Sequence, residues 1–287
     1  MKLARLYFPC LLALTVFLLS PNAAHAHSDA LLTNVGGQVA VGTAADIDGP
    51  DEAFGLHADL FEVILRSGFA PPTPADFEGD EPGFFGLHGV NDAAKLAALG
   101  ASALPAGAAV TGSTTSFTVN GASDSLFYWN GIGAVDFQPI SAAQPDVTFA
   151  FSPAAFGATG ANGVLDDHPI YQINHPSGTP ADGVYLVAPT IGVARLSDSR
   201  LFYMAFLVDA LITGEDELEL VEAALEGLEE GATPDALVDF GGGVTKDFAF
   251  YETSVKWIEG NLVVPEPATA SLSALSFVAL LVARRKR

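Results

Sequence analysis

Cysteine is almost absent from this chain, whose 287 residues contain one, Cys10. Cys10 lies in the apolar run 6–19, which follows a basic start and precedes the small-x-small sequence Ala24-His25-Ala26. This order is typical of a secretory signal peptide, so we predict that residues 1–26 are removed and Cys10 with them. The exported protein would then have no disulfide and no thiol chemistry, and its stability would come from an ordinary core or from bound ions.

Positive charge is also scarce. The chain has 12 Lys and Arg against 34 Asp and Glu, a net charge of -22. Six of those basic residues lie in the predicted signal peptide or in the last four positions. Such a field repels nucleic acid and anionic lipid and attracts cations. We therefore exclude nucleic acid as a partner and interpret the acidic surface mainly as a source of solubility outside the cell.

Sequence motifs that mark enzymes are missing. The chain has no Gly-x-Ser-x-Gly nucleophile elbow, no His-Glu-x-x-His, no phosphate loop and no cysteine pair. Carboxylates are so abundant that a glycosidase-type pair cannot be chosen, because sequence does not give the distance between two carboxylates. A non-enzymatic protein is favoured over an exported hydrolase.

The C-terminus has three consecutive parts. Val264-Pro265-Glu266-Pro267 should be extended, because each proline fixes its own φ and restricts the residue before it. Residues 268–283 carry no charge, and these 16 residues fall just short of the usual length of a membrane-spanning helix. Arg284-Arg285-Lys286-Arg287 ends the chain, and under the positive-inside rule it stays in the cytoplasm.

This order of recognition peptide, short span and basic end resembles the PEP-CTERM sorting signal of Gram-negative bacteria, here residues 265–287. The resemblance implies that an exosortase-type membrane protease cuts near Pro-Glu-Pro. It also implies that the inner membrane holds the chain until then, and that the product is released or re-attached outside the cell. The residues by themselves leave open a plain tail anchor, whose span would persist.

Short stretches of the exported region 27–264 carry a second, looser resemblance. They are His27-Ser28-Asp29, Asp80-Glu81-Pro82-Gly83-Phe84, Leu126-Phe127-Tyr128-Trp129-Asn130-Gly131, His168-Pro169-Ile170-Tyr171-Gln172 and Asp182-Gly183-Val184-Tyr185-Leu186. Together they are similar to exported PEP-CTERM proteins of planctomycete type. This resemblance implies an all-β exported domain and brings no activity with it.

Residues 31–208 are typical of short strands separated by turns. Asn120-Gly121, Asn130-Gly131 and Asp182-Gly183 are turn dipeptides between β-rich runs. We predict a mainly β single domain, an antiparallel β-sandwich or jelly roll. One short helix is expected at residues 93–99, closed by Gly100.

A helical addition is expected at about residues 213–240. An acidic amphipathic helix over residues 215–230, opened by a capping box at Thr213 and Asp216, should pack on the sheet. Its apolar face consists of Leu218, Val221, Leu225 and Leu228. A second short helix is predicted from Thr233-Pro234, and residues 248–258 fit either a strand or a helix.

Two kinds of divalent-metal site are candidates. Imidazole with carboxylate suits zinc or copper, and the candidate ligands are His27, His57, Asp59 and His168. If cleavage follows Ala26, His27 adds a free α-amino group and favours copper. The acidic, glycine-containing loop with Asp46, Asp48 and Asp51 is a calcium candidate without the full EF-hand spacing. Surface histidines and solvated acidic loops are the alternatives.

Phe127-Tyr128-Trp129 is the last candidate, because an exposed aromatic ring on a sheet can stack on a sugar. Exopolysaccharide is the neighbour that the PEP-CTERM resemblance implies, but core packing is the favoured role for this run. The resulting expectation is an exported, exosortase-sorted cell-surface or extracellular-matrix protein without enzymatic activity. A metal-binding periplasmic or surface protein is the alternative, and an exported hydrolase is the third.

Overall fold

The computed structural model describes residues 29–45, 53–67, 76–152 and 154–263. The predicted signal peptide, His27, the calcium candidates Asp46, Asp48 and Asp51, and the whole tail from Val264 lie outside these residues. Those predictions therefore stay predictions.

Twenty strands and four α-helices form within the described residues, with one 3₁₀ turn at Ala161–Gly163. The strands are β1 (Asp29–Val35), β2 (Gln38–Ala45), β3 (Ala53–Gly55), β4 (Leu60–Leu65), β5 (Phe77–Gly79), β6 (Phe84–Gly86), β7 (Ala109–Thr114), β8 (Phe117–Val119), β9 (Ala122–Asp124), β10 (Leu126–Trp129), β11 (Gln138–Pro139), β12 (Thr148–Ser152), β13 (Ala155–Ala158), β14 (Leu165–Asp167), β15 (Ile170–Asn174), β16 (Gly183–Val187), β17 (Pro189–Val193), β18 (Tyr203–Val208), β19 (Leu237–Asp239) and β20 (Thr245–Asp247). The helices are α1 (Ala93–Leu99), α2 (Ile140–Ala143), α3 (Glu215–Glu229) and α4 (Ala249–Asn261).

The prediction of a mainly β protein is confirmed, with 41% strand against 19% helix. The described strands form six small sheets, of five, five, three, three, two and two strands. Most pairs are antiparallel, as predicted, but β1 pairs with β6 and β4 with β18 in parallel. The sequence did not show these two pairs, because parallel strands need long connections rather than tight turns.

The centre of the molecule is the sheet with the order β11-β10-β16-β18-β4, called here the central sheet. All five residues of β16 are buried. Tyr185 and Val187 belong to one hydrophobic core, whereas Val184 and Leu186 belong to a second core on the opposite face. A continuous apolar run, without alternation, is what a strand buried on both faces requires.

The first core lies between the central sheet and the small sheets. Large aromatic side chains from both sides fill it, among them Phe206 of the central sheet and Tyr171 of β15. Their ring centroids are 5.6 Å apart. Phe84 and Phe156 stack in the same core, with centroids 4.9 Å apart.

The second core lies between the central sheet and helices α3 and α4. Val221 and Leu225 of α3 are buried there, and Leu218 and Leu228 are partly buried against it. The prediction that this face packs on the sheet is confirmed. The Tyr251 hydroxyl accepts a hydrogen bond from the backbone N–H of Val63 (2.9 Å) and so ties α4 to the edge strand β4.

The helical addition differs from the prediction in two ways, and one open alternative is decided. Helix α3 has Gly214 as its N-cap without a side-chain cap bond, so the predicted capping box at Thr213 and Asp216 does not form. No helix begins at Thr233 in the described chain, where turns lead instead into the β19–β20 hairpin. The aromatic stretch 248–258, which fitted either element, lies mostly in α4.

Helix α1 forms over the predicted residues. Gly100 closes it in the left-handed conformation, with φ 68°. This is the position where glycine is favoured, because a Cβ there is strained.

Candidate functional site

An acidic cavity of about 650 Å³ opens beside the edge strand β4. Its walls come from β4, from the first residue of β1, from β5 and the turn after it, from His168, and from helices α3 and α4. Seven carboxylates line it: Asp29, Glu62, Glu78, Asp80, Glu81, Glu215 and Glu222. Its basic lining residues are Arg66, which forms an ion pair with Glu215, and His168. The excess of acid makes this cavity attractive to cations.

Three of the lining residues form a compact group of possible metal ligands, called here the triad. Asp29, Glu81 and His168 each offer one ligand atom, and these atoms all lie within 4.8 Å of one another. Glu81 and His168 are exposed, and Asp29 is partly exposed. A metal ion in solvent can therefore reach all three.

Strand pairing brings the triad together. In the order β14-β6-β1, Phe84 of β6 is opposite Ala30 on one side and Asp167 on the other. Asp29 precedes Ala30 and His168 follows Asp167. The two residues, 139 positions apart, therefore lie at the same end of one sheet. Glu81 reaches this end because it stands in the turn just before β6.

Gly83 holds the triad in place. Its backbone N–H donates to Asp29 Oδ1 (2.9 Å) and to Glu81 Oε2 (3.2 Å). A Cβ at this position would lie 2.5 Å from Cε1 of His168, so only glycine allows the imidazole to pack over the turn. The Tyr171 hydroxyl fixes the same turn by donating to the carbonyl of Pro82 (2.5 Å).

The charges around His168 favour a cation. Nδ1 lies 3.4 Å from Glu81 Oε1, and Nε2 lies 3.6 Å from Asp166 Oδ1. Burial lowers the pKa of His168, but the negative charges of Glu81, Asp29 and Asp166 outweigh it and raise the pKa overall. The pKa of Glu81 is also raised, first by burial and then by repulsion from Asp29, although His168 lowers it. The site thus has more negative charge than one imidazolium neutralises.

The donor atoms fit a transition-metal ion. One imidazole nitrogen with two carboxylates is a ligand set that zinc, manganese or copper accepts. Three protein ligands leave coordination positions open towards the cavity. Hydrogen bonds from Gly83 orient both carboxylates, as such outer groups do in metal sites.

The predicted metal ligands do not meet as a group in the described chain. His57 and Asp59 lie in the segment between β3 and β4, not in a strand, and both are exposed. They line a separate, small cavity of about 90 Å³, whereas His168 lines the acidic cavity. Of the four predicted ligands, His168 belongs to the triad, His57 and Asp59 do not, and His27 lies outside the described residues.

Sequence reasoning missed Asp29 and Glu81 as ligands. Both stand in stretches that carry the family resemblance, but nothing in their spacing marks them among so many carboxylates. What identifies Asp29 and Glu81 as ligands is their short distance to His168. This distance depends on the pairing of β6 with β1 and β14.

The aromatic candidate packs in the core. Phe127 and Trp129 are 0% and 4% exposed and belong to the second core, so neither offers a face for a sugar. Tyr128 is partly buried on the other face and donates its hydroxyl to the carbonyl of Asp182 (2.7 Å). Core packing is thus confirmed for Phe127 and Trp129.

Comparison of the chain with protein-family models, with curated proteins and with solved structures gives no match. Among the described residues, no helix combines the length and the apolar character that crossing a bilayer requires. The predicted span 268–283 lies outside those residues.

Proposed function

We propose that this chain is an exported, non-enzymatic cell-surface or extracellular-matrix protein that binds a divalent transition-metal ion through Asp29, Glu81 and His168. The observation that carries the metal-binding part is the convergence of the three ligand atoms within 4.8 Å in the lining of an acidic cavity. The exported part rests on the signal peptide and the sorting tail that the sequence predicts.

Zinc and copper are the metals to test first. Because copper(II) exceeds zinc in affinity for most nitrogen and oxygen ligand sets, copper should bind more tightly in vitro. The three ligands are provided by separate segments, so binding should also link β1, the turn before β6 and the segment after β14. The acidic cavity adds local cation concentration without adding selectivity.

Isothermal titration of the purified protein with zinc chloride and with copper chloride tests the site. His168→Ala should weaken binding by roughly 100-fold or more, because it removes one of three ligands and the nitrogen that favours these metals. His57→Ala is the matched control, an exposed histidine outside the triad, and should leave the affinity unchanged. Equal losses in both variants, or no saturable binding in the wild type, would contradict the proposal.

The pH dependence gives a second readout. A proton on His168 competes with the metal, and the raised pKa keeps that proton bound to higher pH than usual. Metal affinity should therefore decrease as the pH falls through this raised pKa. Glu81→Asn should lower the pKa of His168, because it removes the carboxylate that raises this pKa most. The imidazole NMR signals of His168 measure the change.

The sorting part of the proposal has its own test. An exosortase-type protease acting near Val264-Pro265-Glu266-Pro267 should leave the surface form without Arg284-Arg285-Lys286-Arg287. Intact-mass measurement of that form decides it, because a retained basic end would instead indicate a plain tail anchor. Replacing the four basic residues by serine should impair retention in the inner membrane before cleavage.

The same proposal includes a sandwich-like architecture and a polysaccharide neighbour. The described strands form small sheets in a propeller-like arrangement. The sandwich description is supported by the first core, to which the central sheet and other sheets contribute buried residues. With Phe127 and Trp129 buried, any contact with exopolysaccharide would use other surfaces than this aromatic run.

A further inference from the structure

The two ring nitrogens of His168 face different carboxylates. Nδ1 lies 3.4 Å from Oε1 of Glu81, a member of the triad, and 3.3 Å from the carbonyl oxygen of Asp80. Nε2 lies 3.6 Å from Oδ1 of Asp166, which is outside the triad. A metal ion needs one of these nitrogens, and the group that faces the other nitrogen can control how the ring is held.

The sheet places Asp166 beside His168. Asp166 is the middle residue of β14, and His168 follows Asp167, the last residue of that strand. Residues two apart along a strand lie on the same face, because successive side chains point to opposite faces. The backbone of Asp166 is held by its pairing with Phe85 of β6, although its side chain is 75% exposed.

Nδ1 is the nitrogen that suits an ion at the triad. Bonds of about 2.1 Å in a tetrahedral zinc site place two ligand atoms roughly 3.4 Å apart. The distance of 3.4 Å between Nδ1 and Glu81 Oε1 matches that separation. Asp166 belongs to no group of three possible ligands in the described chain, so an ion on the Nε2 side would find fewer protein ligands.

Two acceptors compete for the single proton of the neutral ring. The carbonyl of Asp80 favours the proton on Nδ1, where it blocks a metal ion, and Asp166 favours it on Nε2. In metal sites the second ring N–H usually donates to a carboxylate or a carbonyl, which orients the ring and makes the ligating nitrogen more basic. The contact of 3.6 Å is longer than a hydrogen bond, and the exposed carboxylate needs to move by about 0.7 Å to form one.

We propose that Asp166 is a positioning residue of the metal site, which accepts a hydrogen bond from Nε2–H of His168 and so directs Nδ1 to the ion. This inference rests on the proposed binding of a metal ion by the triad. Asp166 does not ligate the ion, and it acts through the tautomer and the orientation of the imidazole.

A simple charge effect is the rival explanation, because any carboxylate near the site attracts a cation. Asp167 provides the matched control. It belongs to the same strand, but its side chain lies on the opposite face, where Oδ2 is 3.3 Å from the place that a Cβ at Gly157 would occupy. Asp167→Asn therefore removes the same charge one residue away without changing the group that faces Nε2.

Isothermal titration of the purified protein with zinc chloride is the first measurement. Asp166→Asn should weaken zinc binding by roughly 10-fold or more, as loss of such an outer carboxylate does in metal sites. Asp167→Asn should leave the affinity nearly unchanged, and Asp166→Glu, which keeps a carboxylate, should recover part of the loss. All three variants should keep the wild-type circular dichroism spectrum.

Nitrogen NMR of the imidazole in the zinc-bound protein gives a readout that a purely structural role would not move. In the wild type, Nδ1 should be the metal-bound nitrogen of His168 and Nε2 should keep its proton. Asp166→Asn should give signals of both coordination modes, because the amide no longer favours one of them. Asp167→Asn should give the wild-type signals.

The outcomes separate this inference from the proposed function. Wild-type protein without saturable zinc binding would refute both. Zinc binding with equal affinities in Asp166→Asn and Asp167→Asn, or with Nε2 as the metal-bound nitrogen in the wild type, would overturn the role of Asp166 and leave the triad as a metal site.

Discussion

Leu225→Ala tests the contact on which the helical layer depends. Leu225 is 2% exposed and packs in the second core between α3 and the central sheet. Losing three carbons from that core removes roughly 2.4 kcal/mol of transfer free energy, at about 0.8 kcal/mol per carbon. The cavity left behind raises the expected loss in unfolding free energy to about 3 kcal/mol, within the usual range for such substitutions. For a domain of this size, the Tm should fall by roughly 6–12 °C.

The assay is thermal and urea unfolding followed by circular dichroism, with Leu220→Ala as the control. Leu220 lies on the same helix but is 48% exposed, so the identical substitution changes helix propensity equally without opening a cavity. Its Tm should stay within about 2 °C of the wild type, as surface substitutions usually do. Equal effects at the two positions would refute the reasoning and would indicate that α3 does not stabilise the sheet.

Three further predictions concern single polar groups. Tyr251→Phe should lower the unfolding free energy in urea by about 1–3 kcal/mol, because the buried N–H of Val63 loses its acceptor. Lys246→Met should cost about 3–5 kcal/mol in the same assay, since it leaves Asp209, which is 0% exposed, without its cation, and adding Asp209→Asn should restore part of the loss. The raised pKa of His168 means that its protonation stabilises the fold at acidic pH. This stabilisation is lost as the pH rises through the folded pKa, and His168→Ala should flatten that part of the curve of stability against pH.

The helices show which structural features the local sequence pattern predicts. The repeat of Leu218, Val221, Leu225 and Leu228 predicts both the helix and its buried face, because 3.6-residue periodicity is a property of the segment itself. The stretch that contains α4 has aromatic and β-branched residues that fit strand and helix alike. Packing of Tyr251 and Ile258 against the central sheet decides for the helix.

The triad is a feature that the local sequence pattern does not predict. His168 was a candidate ligand because histidines are few, but its predicted companions His57 and Asp59 belong to a different cavity. Its actual neighbours, Asp29 and Glu81, are two carboxylates among 34 acidic residues. Only the pairing of β6 with both β1 and β14 selects them.

The sequence by itself determined the mainly β composition, the positions of α1 and α3, the burial of Phe127 and Trp129, and the acidic charge that favours cations. Each of these follows from residue type and short-range spacing. The tertiary structure decided the two parallel strand pairs, the acidic cavity and the triad. These features join residues far apart in the chain, and their distances are fixed by strand register and helix packing, which spacing along the sequence does not encode.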